Sequence, residues 1–550
     1  MFLLNKLTGN IPQQVDEDVP AEAEITDVIL EEKKLPLRGF TLAYLSNFRA
    51  TYAEQLEGMT VMDVFTSIIK PQLQATGKVS WCEILAQQES STQSEEDQQE
   101  ANCFVCYAHE YLFNDVVDAL TSSLGGENGS VSISVEQDCV LWMDIFCCDI
   151  LDANEVRDAG WWASIYGNTI AAMSTMLLVM LPWENPYTLS RARCVYELFA
   201  SEVKKCKLEV AMSNTEKQRF LTGVSSGNSQ GITDFLKLLA GFRSQLTETD
   251  PHLSPEDAKG LTEAIVDNTL EEIDLTVHNM LEKWLISVMR KQIDSCGRAG
   301  QVEAAAQWMN ALGGLFRRKA KFDLAEPLLL SCLEIRKRNL GDAHADTLTS
   351  MNNLAGLYKA QGKNAQAEGL YVSCLQGRRT TLGDDHPNTL GTMNNLAGVY
   401  KNMGQFELAE PFYVSCLDST RRVLGDDHPD TLTSMNNLAL LYRGMNQLAH
   451  AEPLYVMCLE GRVTTLGVEH PDTLGTMNNL ALLYDDKGDF AAAEPLYVQC
   501  MDVRNGVLGD IHPDTLQSID NLGSLYRRLD RLEEAEVSVF WICVTVRFLA

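Results

Sequence analysis

The residues with the most obvious chemistry in this sequence recur. His386, His428, His470 and His512 each stand immediately before a proline, and His344 stands before Ala345. An aspartate follows the proline at Asp430, Asp472 and Asp514, and cysteines fall at 332, 374, 416, 458 and 500. Repeated His, Asp and Cys could mark a repeated catalytic or metal site. For a shared metal the histidines would have to converge to about 2 Å from one ion, whereas stacked helices hold equivalent residues about 10 Å apart or more. The local alternative is simpler. Proline suits the first position of a helix and aspartate the positive end of its dipole, so His-Pro-Asp reads as a helix start. The same separation keeps the cysteines from pairing with one another and makes them compact apolar residues at helix contacts. No metal is expected.

These residues sit in a repeat. Leu-Gly pairs stand at 340/341, 382/383, 424/425, 466/467 and 508/509, and tyrosines at 358, 400, 442, 484 and 526. Successive copies are 42 residues apart, a period that means a stacked array. Within one copy Met435, Leu438, Ala439 and Tyr442 share one face of a first helix, and Gly444 and Asn446 break it. Leu448, Ala451, Tyr455, Cys458 and Leu459 form the apolar face of a second helix, with Pro453 near its start. Each copy is a helical hairpin that must stack on its neighbours to bury its face. A different stripe of the first helix carries Asn436, Leu440 and Arg443; its counterparts are Asn352, Gly356 and Lys359, Asn394, Gly398 and Lys401, and Asn478, Leu482 and Asp485.

The Leu438–Ala439–Tyr442 and Ala451–Tyr455–Cys458 sets resemble the tetratricopeptide repeat. The phrases AEPLY, LGDDHPDT and NNLALLY resemble the 42-residue repeats of kinesin light chains, although nothing upstream shows the sustained heptads by which a light chain joins its heavy chain. The resemblance covers about 299–550, six units if Met309–Asn310–Leu312–Phe316 is a worn first copy, and implies a right-handed α-solenoid. In that family the Asn-bearing stripe lines a concave groove that takes peptides. The resemblance therefore implies that Asn352, Asn394, Asn436 and Asn478 pair with a peptide backbone, and that Lys359, Lys401, Arg443 and Arg527 favour acidic side chains. A solvated polar face without a ligand is the alternative.

The first half reads differently. Residues 1–39 are acidic and expected to be disordered, and 40–100 form a helical lead-in ending in the loop QQESSTQSEEDQQE, 87–100. From 103 to 212 the apolar runs CFVCY, VLWMDIFCC, TMLLVMLPW and KLEVAM alternate with three helical stretches, which predicts a parallel sheet covered on both faces over 101–213. FVCYAHEY, LWMDIFC and LLVMLPWENPYTLSRARCVYEL resemble the strands and the S-x-W-C-x-x-E-L helix of a TIR-like, flavodoxin-like domain. On that resemblance Glu197 matches the glutamate that is catalytic in NAD-cleaving members, Cys194 also matches, and Arg193 stands where tryptophan is usual. A carboxylate beside the ribose could stabilise an oxocarbenium-like state as nicotinamide leaves. The alternative is a module that only self-associates. Residues 214–298, with ITDFLKLLAGF and LEEIDLTVHNMLEKWLISVMRK, read as a helical connector and cap.

Composition narrows the function. A net charge of −32 with a pI near 4.6 disfavours nucleic acid and anionic membranes and suits basic partners. MFLLNKLTGN is too short an apolar run for a signal peptide, and TMLLVMLPW is about half of the roughly 20 residues a spanning helix needs. Fifteen scattered cysteines, without paired CxxC spacing, then read as reduced thiols of a cytoplasmic protein. The expectation is a non-enzymatic scaffold whose array binds a peptide or protein, beside a TIR-like module for signalling or self-association, with no cofactor unless that module is an NAD-cleaving effector. A kinesin-light-chain-like cargo adaptor is a further reading.

Overall fold

The computed structural model describes residues 39–78, 80–82, 84, 101–124, 139–147, 167–225, 270–508, 513–532 and 534–535. The acidic start, the 87–100 loop and ITDFLKLLAGF lie outside the described residues. The chain divides into two compact units, Met1–Arg318 and Lys319–Ala550.

In the first unit the apolar runs become strands. These are β1 (Phe40–Thr41), β2 (Cys103–Cys106), β3 (Val140–Trp142), β4 (Thr175–Val179) and β5 (Lys207–Ala211), ordered β1-β3-β2-β4-β5 in one sheet. The pairs β3–β2, β2–β4 and β4–β5 are parallel, with Phe104 opposite Met176 and Thr175 opposite Lys207. Every residue of β2 and β3 is buried, as unbroken apolar strands with both faces covered must be. The sheet is nevertheless mixed, because β1 pairs antiparallel with β3. The four strands expected over 101–213 are parallel, and the added strand comes from the lead-in, which the sequence predicts as helical: a two-residue strand is too short to leave a period-2 signal. Phe40 and Phe48 of the lead-in pack against Phe146, with ring centroids 5.0 and 5.1 Å apart, and Phe48 lies 5.8 Å from Phe113. The lead-in is thus part of the α/β body rather than a separate preface.

A second correction concerns the thiols. The start of β2 lies beside the entry to β3, which brings the Cα atoms of Cys103 and Cys139 to 6.4 Å, and their sulfurs form a disulfide. Ten other described cysteines are free and buried. Helices Asn214–Ser225, Leu270–Arg298 and Val302–Arg318 complete the first unit. Helix Leu270–Arg298 packs against the α/β body through Met280, beside Ser201, and through Trp284, 5.4 Å from Phe220.

The second unit opens with helix Phe322–Leu340 and continues as hairpins Ala345–Ala360 with Asn364–Leu382, Pro387–Asn402 with Phe406–Leu424, Pro429–Gly444 with Leu448–Leu466, and Pro471–Lys487 with Phe490–Leu508. Helix Pro513–Arg528 follows, and the second helix expected after it lies, beyond Ala535, outside the described residues. Their small apolar positions are fully buried, among them Ala439, Ala451, Cys458, Ala481 and Ala493, which lets helix axes approach closely. Each cysteine of the ladder donates to a backbone carbonyl or lies beside a hydroxyl of its neighbours, as Cys458 does to Leu432 at 3.1 Å. They pack, and do not pair.

The recurring punctuation has a local cause. In His344, His386, His428 and His470 the ring Nδ1 accepts the backbone N–H two residues on, at 3.1 to 3.2 Å, so the imidazole itself is the helix N-cap. At the other end of the hairpin Gly425 ends its helix at φ 88°, a conformation that L side chains rarely adopt. If the histidine is a cap and not a ligand, His428→Ala should lower the unfolding free energy by about 1 kcal/mol in urea titration, and His428→Asn should restore most of it. Equal losses for the two would contradict the capping role.

Candidate functional site

Two arrangements meet the chemistry the sequence suggests. The first is a buried charged cluster at the carboxyl ends of β2 and β3, the region where open α/β sheets carry their sites. β2 runs into Tyr107 and His109, β3 into Asp144, and helix Ala192–Val203 presents Arg193, Cys194 and Glu197 to both.

Arg193 is the hub. Its Nη1 donates to Asp144 Oδ2 at 3.0 Å and to Glu197 Oε1 at 2.8 Å, and its Nη2 donates to the carbonyl oxygen of Tyr107 at 2.8 Å. Asp144 also accepts the Tyr107 hydroxyl and lies 3.0 Å from His109 Nε2. His109, Asp144, Arg193 and Glu197 are all buried, Glu197 completely at 0% exposure. Burial alone would raise the Asp144 carboxyl, but His109 and Arg193 beside it outweigh that and hold it well below the usual carboxylate range. For Glu197 burial wins: the carboxyl is pushed up to about 7, with Arg193 opposing and Asp144 adding to the rise.

Cys106, Cys194 and Glu197 place their potential ligand atoms within 4.8 Å of one another. The thiols point to carbonyls, Cys106 Sγ to Cys194 O at 3.7 Å and Cys194 Sγ to Tyr107 O at 3.4 Å, and burial pushes the Cys106 thiol well up. A buried thiol whose pKa is raised, as that of Cys106 is, makes a poor metal ligand. Nor does Glu197 face open space: for a ribose hydroxyl to reach it, the Arg193 contact must open. Sequence reasoning placed Glu197 but missed Asp144 and His109 as its partners. The signal was present in their position directly after two strand-like runs.

The second arrangement is the Asn stripe. Asn352 Oδ1 accepts from Asn395 Nδ2, Asn394 Oδ1 from Asn437, Asn436 Oδ1 from Asn479 and Asn478 Oδ1 from Asn521, at 2.8 to 3.3 Å. The first Asn of each pair thus binds the second Asn of the next copy. Its own Nδ2 amide has no partner among the described residues. The cations differ from one another. Arg443 pairs with Asp486 of the next copy at 2.5 Å, Lys359 lies over Gly398, and Arg527 donates to Ser524 at 2.9 Å. Lys401 is half-buried and has no partner among the described residues; burial lowers its pKa.

A family model for the tetratricopeptide repeat matches residues 304–380, 352–413, 388–462 and 472–537. These segments are tetratricopeptide repeats, and the chain joins them to a small α/β body with a mixed five-stranded sheet. Among solved structures the chain is similar to BtubC (BKLC) from P. vanneervenii, at 23% identity over 41% of this chain and 91% of that one, with a TM-score of 0.37. It is also similar to a Podosopora anserina kinesin light chain-type protein of nearly identical TPR-like repeats, at 26% identity over 36% and 94%, TM-score 0.33. NprR in complex with its cognate peptide NprX is 16% identical over 48% and 76%, TM-score 0.34. No curated protein matches. Among the described residues, no helix is long and apolar enough to cross a membrane.

The cluster has a pH signature. Because the folded pKa of Glu197 lies above its ordinary 4.5, its contribution to stability is full below 4.5 and is lost as pH rises through 7. Glu197→Gln keeps the oxygen that meets Arg193 and carries no charge. Its Tm relative to wild type should therefore rise between pH 5 and pH 8, and a pH-independent difference would contradict the buried-carboxyl assignment.

Proposed function

We propose that this protein is an interaction scaffold whose tetratricopeptide array binds a peptide or protein partner along the Asn stripe, which lines the concave groove. The observation that carries this is the division of labour within each asparagine. Asn352, Asn394, Asn436 and Asn478 spend their oxygens on the next copy, and each keeps two amide hydrogens for an acceptor. At repeat spacing, such donors suit the carbonyls of an extended backbone. Lys401 supplies a half-buried cation for an acidic group, whereas Arg443 already holds Asp486 and contributes to stacking.

The α/β body serves in this reading as a TIR-like contact module for signalling or self-association. The order β3-β2-β4-β5 of its parallel strands supports that likeness. The Arg193–Asp144–Glu197 cluster then acts to hold the ends of β2 and β3 against helix Ala192–Val203. The competing reading, NAD cleavage by Glu197, draws on its raised pKa, since perturbed carboxyls gather at active sites.

The two halves separate by experiment. Asn394→Asp with Asn436→Asp keeps the oxygen acceptors but removes the amide donors, and the last copy already carries Asp520 at that position. Peptides selected by display on the wild-type chain should bind this double variant at least tenfold more weakly while its Tm stays within a few degrees; retained affinity would refute the stripe. For the module, purified full chain incubated with NAD should show no nicotinamide release. Release that Glu197→Ala abolishes would establish the enzymatic reading instead.

A further inference from the structure

One position of the array departs from its own pattern. Arg336, Arg378, Arg462 and Arg504 occupy equivalent places, each no more than 8% exposed. In each, Nη1 donates to the backbone carbonyl ten residues on (Asp346, Asn388, Asp472, Asp514) at 2.7 to 3.1 Å. The same Nη1 reaches the hydroxyl fourteen residues on (Ser350, Thr392, Thr476, Ser518) at 2.7 to 3.0 Å. Arg378 and Arg462 also reach back to Thr349 and Thr433. Arg378 and Arg462 therefore each sit in a slot between the first helices of consecutive copies.

The slot between Pro387–Asn402 and Pro429–Gly444 has lost its arginine. Thr420 stands in that place, and Gly391 stands where Thr349 and Thr433 do. Thr420 Oγ1 turns to Leu417 O at 3.1 Å, and Asp430 and Ser434, whose counterparts accept from arginine in the other copies, line a cavity of about 100 Å³ with Gly391, Asn394 and Thr433. Ser434 Oγ donates to Asp430 O at 2.9 Å, as its counterparts do beside their arginines, and each oxygen keeps a second lone pair for a donor. That is several times the roughly 10–15 Å³ a single water needs on the same measure, and the cavity thus has room for a planar guanidinium. The opening lies on the Asn stripe: Pro387 and Gly391 are exposed, and Asn394 is half-buried at the rim.

We propose that this cavity receives the guanidinium of an arginine side chain presented by a peptide bound along the stripe, completing in trans the contact that the other copies make in cis. The proposal rests on the groove reading above. The template is internal, since four arginines of this chain show the slot's donor geometry. In the template one nitrogen, Nη1, meets both the carbonyl and the hydroxyl, so the preference for arginine over the compact ammonium of lysine comes from the flat guanidinium filling the slot between the two helices. The net charge of −32 favours a cationic visitor.

The test uses the full chain and three fluorescein-labelled peptides, acetyl-Gly-Ala-Xaa-Ala-Gly-amide with arginine, citrulline or lysine at Xaa, read by anisotropy. The arginine peptide should bind at least tenfold tighter than the other two. Thr420→Arg should reduce it to the citrulline level and raise the Tm, since it installs the residue the other copies carry. Gly391→Phe, which fills the cavity from the opposite wall where an added Cβ meets nothing within 4 Å, should abolish the preference independently. Equal binding of arginine and lysine peptides, a preference that survives both variants, or no measurable binding would overturn the proposal. If the three peptides bind alike and Asn394→Asp with Asn436→Asp weakens them all, the cavity assignment falls while the groove reading stands.

Discussion

Each helical hairpin in the second unit leaves an apolar face and several polar groups that only the next copy can satisfy. That requirement sets the geometry of the array. The small residues Ala439, Ala451 and Cys458 bring the helices close, and at such distances a buried polar group without a partner is costly. Three ladders meet the need at fixed offsets: Asn to Asn of the next copy, Arg to a backbone carbonyl and a hydroxyl, and Glu to Tyr, as Glu326 with Tyr358 and Glu410 with Tyr442. The signature AEPLY thereby acquires a physical meaning, because its glutamate is one rung.

The ladders also explain which residues remain for recognition. A residue committed to a neighbour is unavailable to a partner, which removes Arg443 and the asparagine oxygens. What is left is what the stacking does not consume: the asparagine amides, Lys401, and the slot that Thr420 leaves unfilled.

The α/β body uses the opposite device. One guanidinium gathers two carboxylates and a backbone carbonyl in an interior closed to water, and the two acids respond oppositely. Asp144 has His109, Arg193 and Tyr107 to hold its charge, whereas for Glu197 burial outweighs Arg193 and the Cys106 thiol. Arginine at 193 is what makes the cluster an ion network.

The sequence by itself determined the array. The 42-residue period, the apolar faces, the His-Pro-Asp starts and the Leu-Gly stops are local signals, and each helix forms where its own residues require it. Aligning the copies also exposes Thr420 as the odd member, although only the cavity gives that substitution a consequence. Tertiary structure alone decided the rest. The antiparallel pairing of Phe40–Thr41, the Cys103–Cys139 bond, the hold of Arg193 on Asp144 and the reach of Arg443 to Asp486 join residues 36 to 101 positions apart. Period and composition report what a segment does with its own neighbours. Which polar atoms stay free depends on what the fold brings beside them.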